Sequence, residues 1–122
     1  MKKLLVLLVL VTGFAVQAQN KNAKATLEVD GVCMMCKNRI EKAAIKTKGV
    51  KLATWDVSTK ELAIVYNEDK VDLKTLEQNL AAVGHDTKNF KATDEAYNSV
   101  NPCCKYRDQE VIDAHDGGKM KH

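Results

Sequence analysis

Cys33 and Cys36 carry the clearest chemistry in this sequence. They frame Met34 and Met35 as a Cys-x-x-Cys, a spacing at which two thiols converge on one point. The pair sits where a strand pattern ends and a helix pattern begins. A helix start presents unpaired N–H groups and partial positive charge, so both thiols are expected to ionise more readily than a free cysteine. Two thiolates form a soft donor set that suits Cu(I), and also Zn(II) or Hg(II). A structural zinc site takes four ligands, and no second Cys-x-x-Cys is present, so an ion of low coordination is favoured. The same dithiol also permits redox cycling or a structural disulfide.

The remaining cysteines, Cys103 and Cys104, are adjacent. Neighbouring cysteines do not readily bond to each other, because the ring they close strains the peptide. They can bind one metal ion together or pair with cysteines elsewhere. If their segment folds back onto the 33–36 loop, a three- or four-thiolate site results, suited to Zn(II) or a sequestered Cu(I) cluster, or else a disulfide that locks the loop. The alternative is two independent thiols on a flexible tail. Met34 and Met35 are soft thioethers that could assist Cu(I), but exposed apolar contacts for a docking partner are the favoured reading. His115, Met120 and His122 read as incidental ligand types on a disordered end.

The elements that must position these groups follow from periodicity. Ala25, Leu27 and Val29 alternate with polar residues, which predicts a half-buried strand ending at Gly31. From Cys36 to Thr47, Ile40, Ala43, Ala44 and Thr47 share one helical stripe, and Gly49 closes the helix. Val50–Val57 and Glu61–Tyr66 are β-rich segments joined by a turn at 58–60. Asp72 is a good N-cap, and Leu73, Leu76, Leu80 and Val83 give the next helix one apolar face before Gly84. Thr87–Phe90 reads as a short last strand. The order is βαββαβ, an α+β ferredoxin-like sandwich with two helices on a four-stranded antiparallel sheet. Residues 92–122 form an extension without a core of their own.

Met1–Ala18 has a basic start, an uncharged apolar run and small residues at its end, the layout of a cleaved signal peptide. The expected mature protein is exported to a bacterial periplasm, with no membrane segment left. Lys2 and Lys3 leave with the signal, so the net charge of +3 falls to +1. Neither that balance nor the 5% aromatic content supports nucleic-acid binding. No triad, phosphate loop or paired carboxylates point to hydrolysis or phosphoryl transfer, so an enzyme is not expected. A thioredoxin-type site would carry Trp and Pro beside its cysteines, which this motif lacks.

Leu27-Glu28-Val29-Asp30-Gly31-Val32-Cys33-Met34-Met35-Cys36, followed by Arg39-Ile40-Glu41-Lys42-Ala43, resembles the heavy-metal-associated domain. The resemblance spans about residues 25–91 and includes Gly49-Val50 and Gly84-His85-Asp86. The family includes copper chaperones, metal-binding domains of copper-transporting ATPases and the periplasmic mercury-binding protein. It implies a ferredoxin-like fold in which Cys33 and Cys36 hold a metal in an exposed loop and pass it on by ligand exchange. It also implies that His85 lies near that loop, where its nitrogen could serve as a further ligand unless it is an ordinary surface histidine. The family commonly has Gly-Met-Thr before the first cysteine. Here only Val32 separates Gly31 from Cys33, so the loop is one residue shorter and Val32 takes the place of the apolar plug. The expected function is that of a periplasmic Cu(I) carrier. Its expected partners are a metal-transporting ATPase, another copper-handling protein, or a second copy in a metal-bridged homodimer. A thiol–disulfide redox protein and a mercury scavenger are the alternatives.

Overall fold

The computed structural model describes residues 21–120. The expected signal peptide and His122 lie outside the described residues. Among the described residues no helix is long and apolar enough to cross a membrane.

Three strands form the sheet: β1 (Ala23–Glu28), β2 (Val50–Asp56) and β3 (Glu61–Tyr66). β3 is central and antiparallel to both neighbours. Its Leu62, Ile64 and Tyr66 are buried while Glu61 and Ala63 are exposed, the alternation of a sheet covered on one face. At the β2–β3 turn the Asp56 carboxylate accepts from the N–H of Ser58 and Thr59 at 2.7 and 3.2 Å. An aspartate placed this way substitutes for backbone pairing in a tight reversal.

Two helices cover the inner face. α1 (Met34–Lys46) buries Cys36, Ile40 and Ala44 at three- and four-residue spacing. It is tied to the edge strand β2 by Glu41, which accepts from the Trp55 N–H at 2.8 Å, and by Lys37, which donates to the Trp55 carbonyl at 2.9 Å. α2 (Leu73–Ala82) starts on Asp72, whose carboxylate accepts from the Thr75 N–H at 2.8 Å, and buries Leu76 and Leu80.

The expected fourth strand is not formed. Thr87 makes one isolated bridge to Val29, and the Asp30 N–H donates to the Asp86 carbonyl at 2.9 Å. The chain then turns, with Thr87 N–H donating to the Phe90 carbonyl at 2.7 Å. The cause is Glu77 on α2. Its buried carboxylate accepts from the Thr87 hydroxyl at 2.8 Å and from the Asn89 amide at 3.2 Å. Those partners hold 87–90 against the helix instead of in a ladder along β1.

Residues beyond 91 fold back onto the domain. α3 (Asp94–Asn98) is capped by Thr93, a short 3₁₀ turn spans Pro102–Cys104, and α4 (Gln109–Met120) follows. Ala92, Val100, Cys104 and Tyr106 are buried, and the last three join the same apolar cluster as Ile40, Trp55 and Leu80. Gly84 makes this docking possible. It ends α2 at φ +104, and a Cβ there would lie 2.6 Å from the Val100 side chain and 2.7 Å from the Ala96 carbonyl oxygen. Next to it the Tyr106 hydroxyl donates to the Gly84 carbonyl at 2.7 Å and accepts from the Asp86 N–H at 2.9 Å. Arg107 grips the Asp86 carboxylate through two nitrogens, at 2.7 and 3.2 Å.

Candidate metal centre

Cys33 is the N-cap residue of α1, with extended backbone, and its carbonyl accepts from the Lys37 N–H at 3.0 Å. Its half-buried sulfur therefore stands at the mouth of the helix. Cys36 lies nearly one turn further and is fully buried. Gly31 lets the loop close over it: a Cβ at Gly31 would lie 3.0 Å from the Cys36 Cβ and 3.0 Å from two ring carbons of Trp55. The Trp55 indole N–H donates to the Val29 carbonyl at 3.0 Å, fixing the ring beneath the loop.

The 3₁₀ turn brings the adjacent cysteines to this loop across some 70 positions of sequence. Cys33 Sγ is the hub. It lies 3.3 Å from Cys36 Sγ, 3.0 Å from Cys104 Sγ and 4.0 Å from Cys103 Sγ. Cys103 and Cys104 sulfurs are 3.9 Å apart. The sulfurs of Cys33, Cys103 and Cys104 all lie within 4.8 Å of one another, close enough for one ion. At a metal–sulfur distance of about 2.3 Å, sulfurs around a tetrahedral or trigonal ion stand about 3.8–4.0 Å apart. The two longer separations already match. The shorter ones are sulfur–sulfur hydrogen-bond contacts that an ion would widen by roughly 1 Å or less. All four cysteines are free.

The four thiols divide unequally. Partial burial disfavours the Cys33 anion, but hydrogen bonds from Cys104, Cys36 and the N–H groups of Cys36 and Met35 outweigh it and hold its pKa below the ordinary cysteine value. The helix start thus favours one thiolate. The sequence expectation that both motif cysteines ionise readily fails for Cys36, whose burial pushes its pKa up. Cys103 is pushed up to about 11 by burial and its sulfur neighbours, and Cys104 to about 12 by burial and by Cys33 and Cys36. Arg39 opposes the shift at Cys104. Cys33 is the thiol that ionises most readily and the other three hold their protons more tightly, so a bound cation must displace protons.

His85 is neither a surface histidine nor a ligand beside these sulfurs. It is completely buried. Its Nδ1 pairs with the Asp30 carbonyl at 2.8 Å and its Nε2 with Arg39 at 3.2 Å, which assigns the neutral ring with the proton on Nδ1. Both nitrogens are engaged, so no lone pair is left for a metal. Burial pushes its pKa down to about 4, and the Arg39 charge acts in the same direction. The ring stacks on Tyr106 with centroids 5.5 Å apart. His85 belongs to the socket that receives the extension. His115 contacts the Cys103 carbonyl at 3.0 Å through Nε2.

Arg39 falls outside the stripe of Ile40, Ala43, Ala44 and Thr47, yet it bridges His85 and the environment of Cys104. The signal for it was its position three residues after Cys36, on the same helical face. Tyr106 carried no periodic signal at all.

Residues 26–86, half of the chain, match the family pattern of the heavy-metal-associated domain. The chain is 38% identical over 66 residues to a copper-exporting P-type ATPase of Staphylococcus haemolyticus, covering 53% of this chain and 8% of the ATPase. It is 29% identical over 63 residues to the copper chaperone CopZ of Staphylococcus epidermidis, covering 51% of this chain and 93% of CopZ. The chain thus spans under a tenth of the ATPase and nearly all of the small chaperone. Among solved structures, the Cu(I)-loaded N-terminal domain of a potential copper-translocating P-type ATPase from Bacillus subtilis superposes with a TM-score of 0.52 at 28% identity, covering 55% of this chain and 85% of that domain. A CopZ metallochaperone gives 0.52 at 24% identity over 53% of this chain and 98% of its own, a likeness of fold. These matches are to a chaperone and to metal-binding domains, and the chain is a binding domain rather than an enzyme. The matched segment carries the Cys-x-x-Cys loop and its first helix, and on that ground the chain belongs to the heavy-metal-associated domain family.

Proposed function

We propose that this chain is an exported metallochaperone that carries Cu(I) as cargo in the periplasm. The observation that carries this reading is the gathering of three other free cysteine sulfurs around that of Cys33, at 3.0–4.0 Å. A monovalent soft cation matches soft, charge-poor donors, because only part of the cluster needs to ionise to neutralise it. Cys33, Cys36, Cys103 and Cys104 are the ligand candidates. Cys33 takes the ion first, since its anion is already favoured. Another thiol then loses its proton to solvent and its sulfur bonds to the ion. Transfer runs through a mixed complex. A partner's thiolate forms a new copper–sulfur bond, one bond to this chain breaks, and the released thiolate recovers a proton. A copper-transporting ATPase, another copper-handling protein or a second copy of the chain, bridged by the metal, would be the acceptor.

Zn(II) and Hg(II) suit parts of the same donor set and are competitors to be measured. The reduced protein is expected to bind Cu(I) in competition with a chromophoric copper chelator. Cys33→Ser should weaken that binding by about 100-fold or more, as loss of the hub ligand demands. An unchanged affinity in Cys33→Ser would overturn the proposal. Catalytic insulin reduction by the wild-type protein would favour a thiol–disulfide function instead.

A further inference from the structure

Met35 stands beside the sulfur cluster with no part in the function proposed above. Its thioether Sδ lies 3.3 Å from Cys103 Sγ. The Asn101 side-chain amide donates to the same sulfur at 3.4 Å. The extension therefore holds this side chain from two sides, through residues flanking Pro102. Met34 is 60% exposed, whereas Met35 is 45% exposed. A methionine serving only as a docking contact needs no sulfur partner.

The sulfurs form a graded series from surface to interior. Met35 is exposed, Cys103 and Cys33 are half-buried, and Cys104 and Cys36 are fully buried. The outermost donor is the one that carries no proton. A thioether can bond to an arriving cation without releasing anything, while each thiol must first lose hydrogen. Thioether sulfur also discriminates: it is a good donor for Cu(I) and a poor one for Zn(II), which prefers thiolate and imidazole.

We infer that Met35 is a ligand of the Cu(I) centre, forming with Cys103 the outer pair at which the ion arrives and leaves. The inference rests on the Cu(I) reading above and assigns a ligand outside the two motif cysteines. It also gives the extension a chemical task. Asn101 orients the thioether, and the Cys103 thiol next to it bonds to the ion as its proton passes to solvent.

The test uses the reduced protein with its methionines replaced by selenomethionine, loaded with Cu(I). Absorption at the selenium edge is expected to show copper as a near neighbour of selenium. That signal should vanish in Met35→Leu and persist in Met34→Leu. Met35→Leu should also lower Cu(I) affinity about tenfold while Zn(II) affinity stays unchanged. Copper bound with sulfur ligands but with no copper–selenium neighbour would overturn the assignment of Met35 and leave the carrier function standing. A copper–selenium signal that survives Met35→Leu would overturn it equally. Failure to take up Cu(I) at all would instead remove the function on which the inference rests.

Discussion

The two cysteine pairs reach one point by different physical means. Cys33 and Cys36 are mounted on the junction of β1 and α1, and the core itself holds them. The Cys36 Cβ is packed against Gly31, and Trp55 is pinned to Val29 beside it. Cys103 and Cys104 ride on a short turn whose place depends on a latch of polar and aromatic contacts. Tyr106 bonds to Gly84 and Asp86, Arg107 bonds to Asp86, and His85 stacks on Tyr106. The first pair is preorganised by folding. The second depends on the docking of the extension, whose Val100, Cys104 and Tyr106 join the domain core from outside the sheet. The cluster thus combines a half built into the core and a half carried by the extension, as the proposed carrier would need in order both to retain its cargo and to surrender it.

That contrast can be broken at the latch. The largest effect is expected at Gly84, where alanine must adopt φ +104 and intrude on Val100 and Ala96. Gly84→Ala should cost about 2–4 kcal/mol in urea denaturation, from backbone strain and overpacking together. It should expose Cys104 to alkylation while leaving Cys36 protected in the folded protein. Equal protection of both cysteines would show that the halves are not separable.

Acid should act on the same latch more gently. His85 is neutral when folded, with its pKa pushed down to about 4 from 6.5, so the unfolded chain binds a proton that the folded one refuses. Stability is then full above pH 6.5 and falls as pH drops toward 4. The loss should reach about 2–3 kcal/mol at the lower end. Asp86, held low by Arg107 against its own burial, adds to the decline once pH falls through its depressed folded value. Denaturation midpoints measured across this range check the slope. His85→Gln should flatten its upper part. A wild-type midpoint that does not change between pH 6.5 and pH 4 would contradict a buried neutral His85.

Much of the fixed half was legible in the residues. Alternation located β1 and β3, the 3–4 spacing located both helices, and Asp72 and Gly84 marked the limits of α2. These signals are local, arising within a few residues of chain. The fourth strand was misread because Thr87 and Phe90 suit a strand intrinsically, while Glu77 on a separate element claims their polar groups. The burial of His85 was missed for a related reason. Its place beside the loop followed from the family resemblance and holds through Asp30, but no local signal announces the Tyr106 ring that stacks on it. The site of Cys103 and Cys104 was illegible because it is set by contacts some 70 positions apart, through a glycine and a tyrosine that leave no periodic trace.

The central claim is that the extension contributes sulfur to a single copper centre. Copper-edge X-ray absorption of the Cu(I)-loaded protein tests it most directly, by counting sulfur neighbours in the wild type and in the double variant Cys103→Ser/Cys104→Ser. Three or more sulfurs in the wild type, falling to two in the variant, is the expected result. Two sulfurs in both proteins would mean that the loop binds alone and that the adjacent cysteines are bystanders.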